Sequence, residues 1–200
     1  MLLLTLAHRG EALEFIKRKF TQSTEFHFPG VYRSEHDLLV LTTEGVQNTT
    51  MRLSSVLTYF GQRIDRVINL GIAGGLDDKL QLNQVYGIRE VYHEFTGDME
   101  FPSFRCKETH SKLDCVTAVR RVLDQAYIEQ LKKIAPIVDR ELWAVGAVCD
   151  HFKLPFKSYK LISDRAGERT NQDEVKSRAS FFSKHLFDFY KNLSLTQEEW

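Results

Sequence analysis

Apolar positions along the chain alternate between short continuous runs and helical stripes. Residues 2–7 (LLLTLA) form a short apolar run, the pattern of a strand covered on both faces. Between residues 11 and 20, Ala12, Phe15, Ile16 and Phe20 recur near helical spacing and predict a helix. Residues 38–42 predict a second buried strand, and Leu53, Val56, Leu57 and Phe60 mark a second helix. A third strand is expected over 67–72, running out into Gly74-Gly75, with further strands over 85–92 and 113–119. Residues 126–134 read as a helix stopped by Pro136. Residues 142–152 are apolar on most faces, which predicts a deeply buried helix. Residues 156–162 read as a late strand with apolar ends and two lysines, Lys157 and Lys160. Over 175–193, Phe181, Phe182, His185, Leu186, Phe189, Tyr190 and Leu193 make an amphipathic stripe, expected to pack on a core rather than to anchor in a membrane.

Strand–helix alternation of this kind implies an α/β fold, a three-layer α-β-α sandwich around a central mixed sheet. No repeat or linker divides the chain, so one domain over residues 1–200 is expected. The 27 basic and 27 acidic residues cancel, which argues against a nucleic-acid partner, for which a basic excess is usual. No apolar run approaches the ~18 residues of a membrane helix. The opening run lacks a basic flank and is cut off by His8-Arg9, so it reads as a strand rather than a signal peptide. Cys106, Cys115 and Cys149 are odd in number and lack metal-ligand spacing. They read as buried thiols in a reducing compartment, and a cytoplasmic location follows.

In open α/β sheets, ligands gather beyond the carboxyl ends of the strands. Here those ends carry His8-Arg9-Gly10-Glu11, Thr43-Glu44-Gly45, Gly71-Ile72-Ala73-Gly74-Gly75 and Ser163-Asp164. The glycines match neither a P-loop nor GxGxxG, and a tight turn accounts for them as well as a ligand does. Ser163 or Asp164 would serve as a helix cap, or Asp164 as a proton-donating acid at a site's rim. Glu141, at the head of an apolar helix, needs a partner: a base such as Arg140, or sugar hydroxyls. Glu11 either complements a helix dipole or acts as a general base. His8 and His93 have no second ligand at useful spacing, so no metal is expected, and Arg120-Arg121 and Lys132-Lys133 read as solvated faces.

Four blocks, in order along the chain, point to a family. AHRGEALEF (7–15), VINLGIAGGLDDKLQLNQV (67–85), EVYHE (90–94) and VDRELWAVGAVCDHFKLPFKSYKLISDRAG (138–167) resemble the nucleoside phosphorylase/nucleosidase superfamily, above all its hydrolase branch. The resemblance implies hydrolysis of the N-glycosidic bond of a purine-type nucleoside, without cofactor. Asp164 falls on the family's general acid, Glu11 on the glutamate that activates water, and Glu141 on the ribose-binding glutamate. Arg9, Ile72, Ala73, Gly74, Arg140, Ser163 and Ala166 fall on the substrate-binding positions. It also implies a homodimer. Arg140 stands where the family has methionine, Ile72 where it has Ser or Thr, and Thr43-Glu44-Gly45 where it often has Gly-x-Gly. Asn69 stands where phosphorylases carry a phosphate-binding arginine, which favours water as nucleophile. Arg9 and Arg140 keep a phosphorylase open as the alternative, and a nucleoside-binding protein without turnover is the third reading.

Overall fold

The computed structural model describes residues 1–97, 100–107, 113–167 and 177–195. Its strands are β1 (Leu2–Leu6), β2 (Thr21–Gln22), β3 (Val31–Arg33), β4 (Asp37–Leu41), β5 (Arg66–Gly75), β6 (Val85–His93), β7 (Phe104–Arg105), β8 (Leu113–Thr117), β9 (Ile137–Asp139) and β10 (Phe156–Arg165). The helices are α1 (Leu13–Arg18), α2 (Val46–Phe60), α3 (Gln125–Lys132), α4 (Leu142–His151) and α5 (Ala179–Leu195). The sheet runs β10-β6-β8-β9-β5-β1-β4-β3-β2, with β7 on β6. It is mixed: β1 pairs parallel with β4 and β5, whereas β9 meets β5 antiparallel and β6 meets β10 antiparallel. Because β10 also pairs with β5, the strands β10, β6, β8, β9 and β5 close on themselves as a small barrel-like ring.

The continuous apolar run of β1 follows from its two covered faces. Leu3 belongs to one buried apolar cluster with Leu53, Val56 and Leu57 of α2 and Leu142, Val145 and Val148 of α4. Leu4 and Leu6 face the other way, toward Phe15 of α1 and Phe182, Leu186 and Tyr190 of α5. Each fully buried leucine contributes about 1.5–3 kcal/mol relative to exposure. A third cluster sets Tyr127, Ile128 and Leu131 of α3 against Leu76, Val116 and Val138. The stripe over the tail is therefore a core-packing face.

The first helix is shorter than its pattern, six residues from Leu13. Glu11 lies before it, so the helix-dipole account of that residue does not hold. Two other departures bear on the site. The glycine-rich segment is not a turn: β5 runs through Gly75, and Gly71, Gly74 and Gly75 all keep negative-φ, strand-like backbone. Neighbours crowd Gly74 and Gly75, and Gly71 lies in ordinary contact distance of its own. A β-carbon on Gly74 would stand 3.2 Å from Val138 Cγ1, and one on Gly71 would stand 3.4 Å from Glu11 Oε1. Likewise β10 extends through Arg165, so Ser163 and Asp164 are strand residues rather than helix caps. The pairing with β5 slips between Ile162 and Asp164, a bulge that re-aims the side chains beyond it.

Candidate active site

One cavity of about 590 Å³ opens where these strand ends meet, a size suited to a small ligand. Glu11, Asp164, Glu141, Arg140, Ile72, Ala73, Gly74, Ser163, Ala166 and Arg9 all line it. These ten residues thus line one cavity, delivered by the loop after β1, the end of β5, the β9–α4 junction and the end of β10.

Glu11 is held on three sides. Its Oε2 accepts from Ala7 N at 3.0 Å and His8 N at 3.1 Å, and Oε1 accepts from Ile72 N at 3.0 Å. Three backbone N–H donors match the acceptor oxygens of a carboxylate. They fix it although the residue is only 5 % exposed. Ile72 contributes here through its backbone N–H.

Glu141 occupies the position just before α4, and its side chain does not cap the helix. Instead Oε1 accepts from Gly45 N at 2.8 Å, across to the β4–α2 junction. Burial pushes its pKa up to about 8, with the negative charge of Asp139 adding to the rise; Lys160 and the Gly45 N–H act the other way.

Asp139 and Lys160 were not recognised from the sequence. They form a buried ion pair at 2.7 Å, with side chains 1% and 2% exposed. Asp139 is fully bonded: Thr117 Oγ1 donates to Oδ1 at 2.7 Å and Leu142 N to Oδ2 at 2.9 Å. Thr117 in turn accepts from Trp143 N at 2.9 Å. Burial alone would lower the pKa of Lys160, but Asp139 and neighbouring charges outweigh it and hold the ammonium above its usual range. A β-carbon on Gly71 would meet both Glu11 Oε1 and, at 3.6 Å, Lys160 Nζ, so the lysine also reaches the Glu11 side of the site. The available signal was the pair of lysines, Lys157 and Lys160, inside a strand with apolar ends.

Asp164 is half-buried at the opposite wall. Its Oδ1 accepts from Ser163 Oγ at 2.5 Å, and that hydroxyl lies 3.3 Å from Ala73 O. Phe182 of α5 is the aromatic side chain on the cavity wall among the described residues.

The rim departs in part from expectation. Arg120 and Arg121 are solvent-exposed, as expected, and they also line the cavity. Arg140 Nη1 binds Glu44 Oε1, and Arg121 Nη2 lies 3.7 Å from the same oxygen. Asn69 does not line the cavity: its amide donates to Thr5 Oγ1 at 3.0 Å and accepts from Ser158 Oγ at 3.0 Å inside the sheet. Its presence therefore says little about the nucleophile. His93 is packed flat on Phe101, with centroids 4.3 Å apart, and burial lowers its pKa. His8 is exposed at the mouth.

No family model matches the chain. A 5′-methylthioadenosine/S-adenosylhomocysteine nucleosidase of Tolumonas auensis is 26% identical over 169 residues, covering 68% of this chain and 73% of that protein. One of Bacillus cereus is 22% identical over 184 residues, covering 76% and 79%. The solved nucleosidase of S. pneumoniae, bound to a transition-state inhibitor, superposes with a TM-score of 0.80 at 16% identity, over 94% of this chain and 96% of that one. That superposition carries the fold, and the curated relatives carry the sequence likeness over most of both lengths. The chain is thus similar in sequence to methylthioadenosine/S-adenosylhomocysteine nucleosidases and shares their fold.

Proposed function

We propose that the protein hydrolyses the N-glycosidic bond of a purine-type nucleoside of the methylthioadenosine/S-adenosylhomocysteine kind, releasing free base and sugar. The observation that carries this is the convergence of Glu11, Glu141 and Asp164 on one cavity from three separate strand ends. Breaking the bond builds positive charge on the sugar and negative charge on the departing base. A carboxylate near the sugar and an acid at the base stabilise both developments.

Glu11 takes the role of general base. Its three N–H partners hold it in place while it accepts a proton from the attacking water. Glu141, tied to Gly45, grips the sugar hydroxyls. Asp164, reached through the bulge in β10, carries the proton to the base. Lys160 acts as a positioning residue: its charge offsets Asp139 directly and eases the crowding of Glu11 and Glu141 nearby. A phosphorylase has less support, since both curated relatives are named as nucleosidases.

The reading includes a cytoplasmic homodimer. Exposed Met51 and Tyr59 on α2, together with Phe95, Val119 and Leu123, supply apolar surface for pairing. Three free buried cysteines suit a reducing compartment. Among the described residues no helix is long and apolar enough to cross a membrane. The experiment is a panel of purine nucleosides assayed for free base with and without inorganic phosphate. Release from a 5′-thioadenosine that does not need phosphate is the expected outcome. Silence until phosphate is added would replace hydrolysis with phosphorolysis.

A further inference from the structure

Among the described residues, three other than glycine have a left-handed backbone: Thr43 (φ 62°), Asn83 (φ 64°) and Lys153 (φ 57°). Asn83 is of the residue type that tolerates this conformation best. Lys153 follows the last turn of α4, where a left-handed residue closes the helix. Its N–H donates to Asp150 O at 3.1 Å, and that of Leu154 to Cys149 O at 2.9 Å. Thr43 has neither reason. Its β-branched side chain makes the conformation costly, so the surrounding structure must impose it, and such strain gathers where function fixes a backbone.

The strain lies in the turn between β4 and α2, where Gly45 is also left-handed, at φ 92°. The first turn of α2 binds three carbonyls of this segment. Thr49 Oγ1 donates to Thr43 O at 3.4 Å, Asn48 Nδ2 to Glu44 O at 2.9 Å, and Thr49 N to Gly45 O at 3.1 Å. In a planar trans peptide the C=O and the following N–H point in opposite directions. With Glu44 O fastened to Asn48, the Gly45 N–H is turned the other way and donates to Glu141 Oε1 at 2.8 Å. That is the one hydrogen bond to the Glu141 side chain among the described residues. Thr43 and Gly45 are not on the cavity wall, so they act through Glu141.

We infer that Thr43 and Gly45 are positioning residues: their left-handed turn holds the Gly45 N–H on the Glu141 carboxylate and thereby sets how strongly the site prefers a sugar with its full set of hydroxyls. The inference rests on the assignment of Glu141 to the sugar. A β-carbon on Gly45 would have nothing within 4 Å, so Gly45→Ala acts through the backbone alone, by disfavouring φ 92°. Thr43→Gly removes the strain and leaves the turn its shape.

The test compares 5′-methylthioadenosine with its 2′-deoxy counterpart and reads the ratio of their kcat/KM values from free adenine. Glu141→Gln should lower this ratio from its wild-type value. Gly45→Ala should lower it by about tenfold, as suits the loss of a hydrogen bond to a charged group. In the Glu141→Gln background, Gly45→Ala should change the ratio by no more than about twofold, which separates positioning from general damage. Thr43→Gly should keep the ratio within about twofold of wild type and raise Tm by roughly 2 °C. Asn48→Ala, at an exposed position, should lower the ratio severalfold, and it takes the place of Gly45→Ala if that variant does not fold. A ratio unmoved by the turn variants, an equal loss in the Glu141→Gln background, or a Tm lowered by Thr43→Gly would overturn the inference. A ratio unmoved by Glu141→Gln would remove the sugar assignment, and the inference with it. If the wild type cleaves neither probe, the nucleosidase reading fails on its own. The ratio of Kd values by titration calorimetry then decides: a preference that Gly45→Ala abolishes supports the turn's role, and equal affinities overturn it.

Discussion

The floor and the rim of this cavity use charge in opposite ways. On the floor, Asp139 and Lys160 are almost wholly buried, and Asp139 is bonded by a hydroxyl, an ammonium and a backbone N–H. On the rim, Arg140, Arg121 and Glu44 are partly exposed, and Arg140 keeps a buried Nε without a partner. A buried charge without partners is too costly to persist, so the floor has been driven to full satisfaction and a single geometry. Water screens the rim, so a pair there is worth about 1 kcal/mol or less and can exchange partners. The fixed part holds one geometry, and the adaptable part can exchange partners.

The largest expected effect lies in the chemistry. Asp164→Asn should lower kcat by about 10²–10⁴-fold while the melting temperature stays close to that of the wild type. Turnover close to wild type in that variant would remove Asp164 as the acid. Next comes the floor's ion pair. Lys160→Met would leave Asp139 buried and uncompensated, which should cost about 3 kcal/mol or more and lower Tm by roughly 6–12 °C. A thermal melt showing less than a degree of change would contradict the contrast between floor and rim. By comparison Arg140→Met, which breaks only a rim pair, should change stability by about 1 kcal/mol or less.

A pH series sharpens the same point. Glu141 has its pKa raised to about 8 in the folded protein, so the fold prefers the protonated form. Once the pH passes the unfolded-state value of about 4.3, the unfolded chain ionises first, and stability contributed by this group falls until about pH 8. Glu141→Gln should flatten that slope in Tm between pH 5 and 8. An unchanged slope would show that Glu141 is not the group titrating. The smallest effect is steric. Gly71→Ala introduces a β-carbon 3.4 Å from Glu11 Oε1, an ordinary contact distance, so kcat is expected to fall only severalfold and stability to fall by about 1 kcal/mol.

Much of this was legible in the residues. The continuous apolar runs marked buried strands because both faces of β1 are covered. The order of the blocks placed Glu11, Glu141 and Asp164 at strand ends that converge. What was hidden depended on distance in space. The glycines of β5 read equally as a turn or a ligand approach, but they lie within a strand, with Val138 close against Gly74, and only the fold shows that neighbour. Lys160 looked like one of two lysines in a strand; its role required Asp139, which arrives from another strand. Arg121 and Glu44 are far apart in the chain, and nothing local announced that they would share the rim with Arg140. The bulge that turns Asp164 toward the cavity is likewise a property of β10 pairing with β5.

The central claim is that water, activated at the fixed floor, displaces the base. The most direct measurement is turnover of a 5′-thioadenosine in heavy-oxygen water without phosphate, with mass analysis of both products. The account expects free adenine and a sugar carrying one solvent oxygen at its anomeric carbon, with both products lost in Glu11→Gln. A phosphorylated sugar formed only when phosphate is supplied, or label incorporation undiminished in Glu11→Gln, would contradict it.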